Sequence, residues 1–137
     1  MPRRVLLDTG VVVALVNAAD PDHARCVAAW RDVRAQVISV EGVLVEATHL
    51  LRRARGGAAA AINLVLGAGS RIIPATEVRL RRAATLMDSY RNVPMDLVDA
   101  LLVVAAEELE ISHILSLDVR GFRTYRIGGR QAFQMLP

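Results

Sequence analysis

Four carboxylates, Asp8, Glu46, Asp99 and Asp118, stand where acid or metal chemistry is possible. Asp8 closes the apolar run Val5-Leu6-Leu7 just before Thr9-Gly10. The carboxyl end of a strand is where open α/β sheets bind ligands, and Asp8 reads equally as the N-cap of a following helix. Asp118 repeats the situation after Ile114-Leu115-Ser116-Leu117, with a turn aspartate as its structural counterpart. Asp96 and Asp99, three residues apart after Pro94-Met95, fall on adjacent parts of one helical face. Asp96 sits at the start signal and is the natural N-cap. Asp99 has Leu97, Val98, Ala100, Leu101 and Leu102 around it, and an unpaired carboxylate in such surroundings is costly, so it needs a hydrogen-bonded or metal partner.

Glu46 belongs to a helix whose apolar face is expected to be Val43, Ala47, Leu50, Leu51 and Ala54. At about 100° per residue Glu46 lies at the margin of that face, while Glu41 points away from it. Taken alone, an acid at such a margin is more often a solvated boundary residue. Taken together, the four acids are more informative, because two end strands, one starts a helix and one follows a strand by two turns. All four can converge on one sheet edge, where like charges would raise one another's pKa unless a cation sat between them. An oxygen-only donor set suits Mg²⁺ or Mn²⁺ better than zinc. A metal held in this way can activate water, neutralise a phosphate and stabilise a leaving oxygen, and a second metal about 3.5–4 Å away would clamp both reacting oxygens.

The elements that must position these acids follow from hydrophobic periodicity. Strands are expected at Arg4 to Asp8, Gln36 to Val40, Arg71 to Pro74, His113 to Leu117 and Gln131 to Leu136, the last as an edge strand. Helices are expected after Asp8 to about Asn17, from Asp20 to Arg34 with Asp20-Pro21 as its start, and over Glu41 to Arg53. Further helices are expected over Gly57 to Gly67, Thr76 to Tyr90 and Asp96 to Glu110. Short apolar runs alternating with helical patterns indicate an α/β domain with a largely parallel sheet. Neither repeat nor linker divides the chain, so one domain over residues 1–137 is expected.

At this point the ordered segments resemble a known family. Val5-Leu6-Leu7-Asp8-Thr9, the acid Glu46, Pro94-Met95-Asp96-Leu97-Val98-Asp99-Ala100-Leu101 and Leu115-Ser116-Leu117-Asp118-Val119-Arg120-Gly121-Phe122 together look like a PIN domain. They are most similar to the VapC-type ribonuclease toxins of type II toxin–antitoxin pairs. The resemblance spans essentially the whole chain and implies a three-layer α/β/α sandwich around a central, mainly parallel sheet. It also implies endonucleolytic RNA cleavage with Mg²⁺ or Mn²⁺ held by Asp8, Glu46, Asp99 and Asp118. Thr9 matches a hydroxyl position that supports the first acid, Ser116 the small hydroxyl residue before the fourth, and Asp96 an additional polar position. Gly121 departs from the pattern, since many relatives carry a further acid there. A VapB-type antitoxin that occludes the acidic pocket, and a homodimer built on the helical pairs, are further implications of the resemblance.

Composition narrows the alternatives. With 53% hydrophobic and 23% charged residues, and 17 basic against 14 acidic side chains, the chain is neither disordered nor a strong polyelectrolyte. Every basic residue is an arginine, so phosphate contacts fall to guanidinium groups, backbone amides or a metal. Asp8 interrupts any signal-peptide core, and Gly56 to Gly69 falls short of the roughly 20 apolar residues that span a bilayer. A lone Cys26 offers no internal disulfide, and a cytoplasmic location is expected. The arginine groups Arg52-Arg53-Arg55, Arg79-Arg81-Arg82 and Arg120 to Arg130 read first as solvated faces, with Glu77, Glu107, Glu108 and Glu110 available as partners. An aromatic content of 4% is too low for a base-stacking platform. His23, His49 and His113 show no metal spacing. Two other functions compete: a non-catalytic PIN-like RNA- or protein-binding module, and an aspartate-nucleophile phosphohydrolase, which would need an acid where Gly10 stands.

Overall fold

A computed structural model describes residues 2–137. The strands are β1 (Arg4–Leu7), β2 (Gln36–Val40), β3 (Arg71–Ile73), β4 (His113–Leu115), β5 (Arg126–Ile127), β6 (Gln131–Ala132) and β7 (Gln134–Leu136). The helices are α1 (Thr9–Val16), α2 (His23–Asp32), α3 (Glu41–Leu50), α4 (Gly57–Gly67), α5 (Glu77–Ser89), α6 (Leu97–Leu109) and α7 (Val119–Thr124).

Five strands form one parallel sheet in the order β3-β2-β1-β4-β7, with β1 at its centre. Val5, Leu6 and Leu7 of β1 are fully buried, which is what an unbroken apolar run in a parallel strand requires, since both faces of such a sheet are covered. Leu6 is aligned with Ile38 on one side and Ile114 on the other. The helices complete a three-layer α/β/α sandwich, with α1 packed against α2, α3 and α4, and α5 against α6. α6 is buried continuously from Asp99 to Ala106, so an apolar surround occupies nearly its whole circumference. No helix among the described residues is long and apolar enough to cross a membrane.

Three local departures from the sequence pattern matter. The segment after Asp118, expected as a turn, is the short helix α7. The expected strand Gln131 to Leu136 breaks at Phe133 into two. β6 pairs antiparallel with β5 across Gly128-Gly129, whose positive φ angles of 60° and 75° suit glycine, while β7 joins the main sheet beside β4. Finally, α3 stops at Leu50; Leu50 and Ala54 of the expected apolar face are exposed, while Val43, Ala47 and Leu51 are buried.

Candidate active site

The carboxyl edge of the sheet is built from helix beginnings. β1 runs straight into α1, and Asp8 between them has extended backbone and accepts a 2.8 Å hydrogen bond on Oδ1 from the Thr9 amide. Its Oδ2 accepts a 2.7 Å bond from the Ser116 hydroxyl just beyond β4. Ser116 Oγ in turn accepts from the Asp118 amide at 3.1 Å, so one buried hydroxyl ties the first acid to the backbone of the fourth. Asp118 is the N-cap of α7, its Oδ1 taking the Gly121 amide at 3.0 Å. Asp96 caps α6 by accepting from the Asp99 amide at 2.8 Å, and Asp99 Oδ2 accepts from the Asp96 amide at 3.2 Å. This reciprocal capping box satisfies two first-turn amides and fixes the Asp99 side chain. Asp8, Asp96 and Asp118 cap helices, and Asp8, Asp99 and Asp118 lie near enough for their charges to act on one another, so capping does not exclude a ligand role.

Glu46 reaches the edge from α3, half-buried, on a helix that packs against α1 and α6. The approach to α6 depends on Gly42, where a Cβ would lie 3.0 Å from Val98 Cγ2. Glu46 and Asp118 both add their negative charge to the environment of Asp8. Asp8 and Asp118 do the same to Asp99, which places all four acids in one electrostatic neighbourhood.

That neighbourhood is visible in the carboxyl pKa values. Asp8, 7% exposed, is pushed up to about 6, mainly by burial, against the opposing pull of the Ser116 and Thr9 bonds. Asp99, 9% exposed, is pushed up to about 7 by burial first and by the Asp96 charge next. None of the four acids has an arginine or histidine ion-pair partner among the described residues.

Whether this edge suits a divalent cation can be tested on its donors. They are all oxygens, as Mg²⁺ and Mn²⁺ prefer. The Thr9 hydroxyl beside Asp8 is 3% exposed and has no hydrogen-bond partner, so it lacks what the water shell of a bound ion would provide. Among the described residues no three His, Cys, Asp or Glu side chains already enclose an ion position. Mg²⁺ is commonly held by one or two carboxylates and keeps several waters, so the wider spacing is compatible with it. The residues fit.

The arginines divide into two kinds. Arg79, Arg81 and Arg82 of α5 pair with Glu108, Glu77 and Glu107 at 3.0, 2.7 and 2.9 Å, as solvated faces do, whereas Glu110 pairs with none of them. Arg120, Arg123 and Arg130 are exposed and form no ion pair with a carboxylate among the described residues.

The PIN domain family model matches residues 5–127. The chain belongs to the PIN domain family. Among curated relatives, this PIN domain is 27% identical over 136 residues to Ribonuclease VapC26 of Mycobacterium tuberculosis, with 97% of this chain and 100% of that protein covered. Among solved structures it matches VapC20 of Mycobacterium tuberculosis, described as a toxin that cleaves the sarcin-ricin loop. That match has a TM-score of 0.77 and 24% identity, covering 83% of this chain and 89% of the other, and it supports the sandwich architecture.

One residue at this edge escapes the sequence pattern. The Tyr125 hydroxyl lies 3.4 Å from Asp99 Oδ2 and 3.3 Å from the Pro94 carbonyl. Its only mark in the sequence is a position three residues after Phe122, which accounts for the buried ring and says nothing of a partner 26 residues upstream.

Proposed function

We propose that this PIN domain is a Mg²⁺- or Mn²⁺-dependent endoribonuclease that hydrolyses RNA phosphodiester bonds in the cytoplasm, as the toxin of a type II toxin–antitoxin pair. The observation that carries the reading is the gathering of four acids, without a basic partner, at the carboxyl edge of the parallel sheet. The ribonuclease and toxin names of VapC26 and VapC20 supply the substrate class.

Asp8 and Asp99 would be the primary metal ligands, and Glu46 and Asp118 would hold the ion directly or through water, one of them orienting a water. A divalent cation bound there supplies charge neutralisation on the phosphate, an acidified water and stabilisation of the leaving oxygen. Ser116 locks the Asp8 carboxylate in one rotamer, and Asp96 does the same for Asp99. Burial and neighbouring acids hold Asp8 and Asp99 in the protonated direction, so a cation held there would compete with protons for them.

The decisive experiment is RNA cleavage with Mg²⁺, with chelator, and by Asp99→Asn with Mg²⁺. Cleavage is expected in the first case alone. Undiminished cleavage by Asp99→Asn, with its circular dichroism unchanged, would sink the assignment.

A VapB-type antitoxin partner and a homodimer belong to the same proposal. The dimer is supported by the apolar side chains exposed on the α3–α4 pair, Val45, Leu50, Ile62 and Leu66. A monomeric mass by light scattering at micromolar concentration would count against it. Failure of the protein encoded by an adjacent reading frame to suppress cleavage would count against the antitoxin.

A further inference from the structure

We infer that Tyr125 is a positioning residue for Asp99, holding the carboxylate from behind so that its other oxygen is presented to the metal. The inference rests on the metal-dependent reading of the site.

Asp99 Oδ2 has two donors on the protein side, the Asp96 amide at 3.2 Å and the Tyr125 hydroxyl at 3.4 Å. Among the described residues no donor reaches Oδ1. The phenol has one hydrogen and two acceptors in reach, the Asp99 carboxylate and the Pro94 carbonyl at 3.3 Å. The Asp99 carboxylate, once ionised, draws such a hydrogen more strongly than an amide carbonyl. Active-site hydrogen bonds are often long without substrate and tighten when it binds.

The ring is fixed well enough to position another group. Tyr125 is fully buried, with edge contacts to Tyr90 and Phe122, each at a centroid distance of 5.2 Å. The Arg126 amide donates to the Tyr90 hydroxyl at 3.0 Å, and the Arg126 guanidinium closes the end of α7 on three carbonyls.

Gly121 makes the arrangement possible. A Cβ there would press on Asp118 Oδ2 and come within 2.9 Å of Asp118 Cγ and Tyr125 Cε2. The space of the absent side chain is thus shared by the α7 cap and the tyrosine ring. Tyr125 spans from the end of α7 to the start of α6, joining the helices that carry Asp118 and Asp99.

Tyr125→Phe keeps the ring and removes only the hydroxyl. Partners that orient a metal ligand typically contribute 10–100-fold in affinity or activity. At these distances Mn²⁺ binding, followed by calorimetry or by the loss of free-Mn²⁺ paramagnetic signal, should weaken about tenfold. At saturating Mn²⁺, kcat should fall and KM for RNA should hold, because the buried hydroxyl cannot touch substrate. The melting temperature in chelator should stay close to wild type. Unchanged Mn²⁺ affinity overturns the inference, and so does a lower chelated melting temperature with unchanged affinity, which would make the hydroxyl merely a partner of Pro94. Wild-type protein that binds no Mn²⁺ overturns the metal-dependent reading itself, and this inference with it. Gly121→Ala is the second variant: crowding Asp118 and the ring together, it should weaken Mn²⁺ at least as much as Tyr125→Phe, and unaltered affinity again counts against the inference.

Discussion

The α5–α6 seam and the carboxyl edge of the sheet both collect acids, and they treat the charge in opposite ways. α6 carries both kinds. At its far end Glu107 and Glu108 sit where the helix macrodipole is negative and disfavours acids. There α5 supplies Arg82 and Arg79, each forming two hydrogen bonds to its carboxylate. At its beginning Asp99 meets a favourable dipole, yet it feels the charges of Asp96, Asp8 and Asp118 and pairs with no guanidinium among the described residues. A helix N-terminus offsets only about 0.3–1 kcal/mol per carboxylate, less than burial and repulsion cost Asp8 and Asp99. Seventeen arginines are available to the fold, and none is spent on its most strained acids. The seam neutralises its acids within the protein, and the edge leaves its acids without a basic partner among the described residues.

The largest test of that contrast removes one charge from the edge. Asp8→Asn should reduce Mg²⁺-dependent RNA cleavage by about 10³-fold or more, equivalent to about 4 kcal/mol of transition-state stabilisation. In chelator at pH 7.5 the same variant should be more stable than wild type, by up to about 3 kcal/mol, because a carboxyl raised by about two pKa units resists ionisation by that amount. Urea melts with and without Mg²⁺ measure both sides. A variant that is inactive and also less stable in chelator would mean that Asp8 is chiefly the cap of α1.

A proton does reversibly what the substitution does permanently. The folded pKa of Asp8, about 6, lies above its ordinary value of 3.8, so between them the folded state holds a proton that the unfolded chain has lost. The contribution is therefore fully present near pH 4 and is lost as pH rises through 6. Asp99 shifts in the same direction and extends the window toward 7. In chelator, stability should decline by a few kcal/mol across this range, and saturating Mg²⁺ should restore it above pH 7 while adding little at pH 5. A flat chelator profile would mean that the edge carries no excess charge.

Much of the edge was legible because strand ends and helix starts are marked locally. The runs before Asp8 and Asp118, the Pro94-Met95-Asp96 start of α6 and the inward lean of Glu46 needed only neighbouring residues. The remainder depends on contacts distant in sequence. α7 is too short and too glycine-marked to show a helical period, and its cap, Asp118, reads as a turn. The break at Phe133 follows from its burial between two strands that join different sheets. Tyr125 acquires its partner through Gly121 and a chain reversal that no local pattern encodes. The seam was half legible: Glu107 and Glu108 were available acids, but which arginine each would take depends on how α5 lies on α6.

The smallest effect lies at that seam. The Arg82 side chain is 42% exposed and that of Glu107 18%, so solvent screens the pair. A double-mutant cycle over Arg82→Ala and Glu107→Ala should give a coupling of about 0.2–1 kcal/mol, shrinking as salt rises. Metal affinity and RNA cleavage should stay within twofold of wild type in all three variants. If removing Glu107 instead strengthened Mg²⁺ binding at the other end of α6, the two acid groups would share one field, and the division between a neutralised seam and an unpartnered edge would fail.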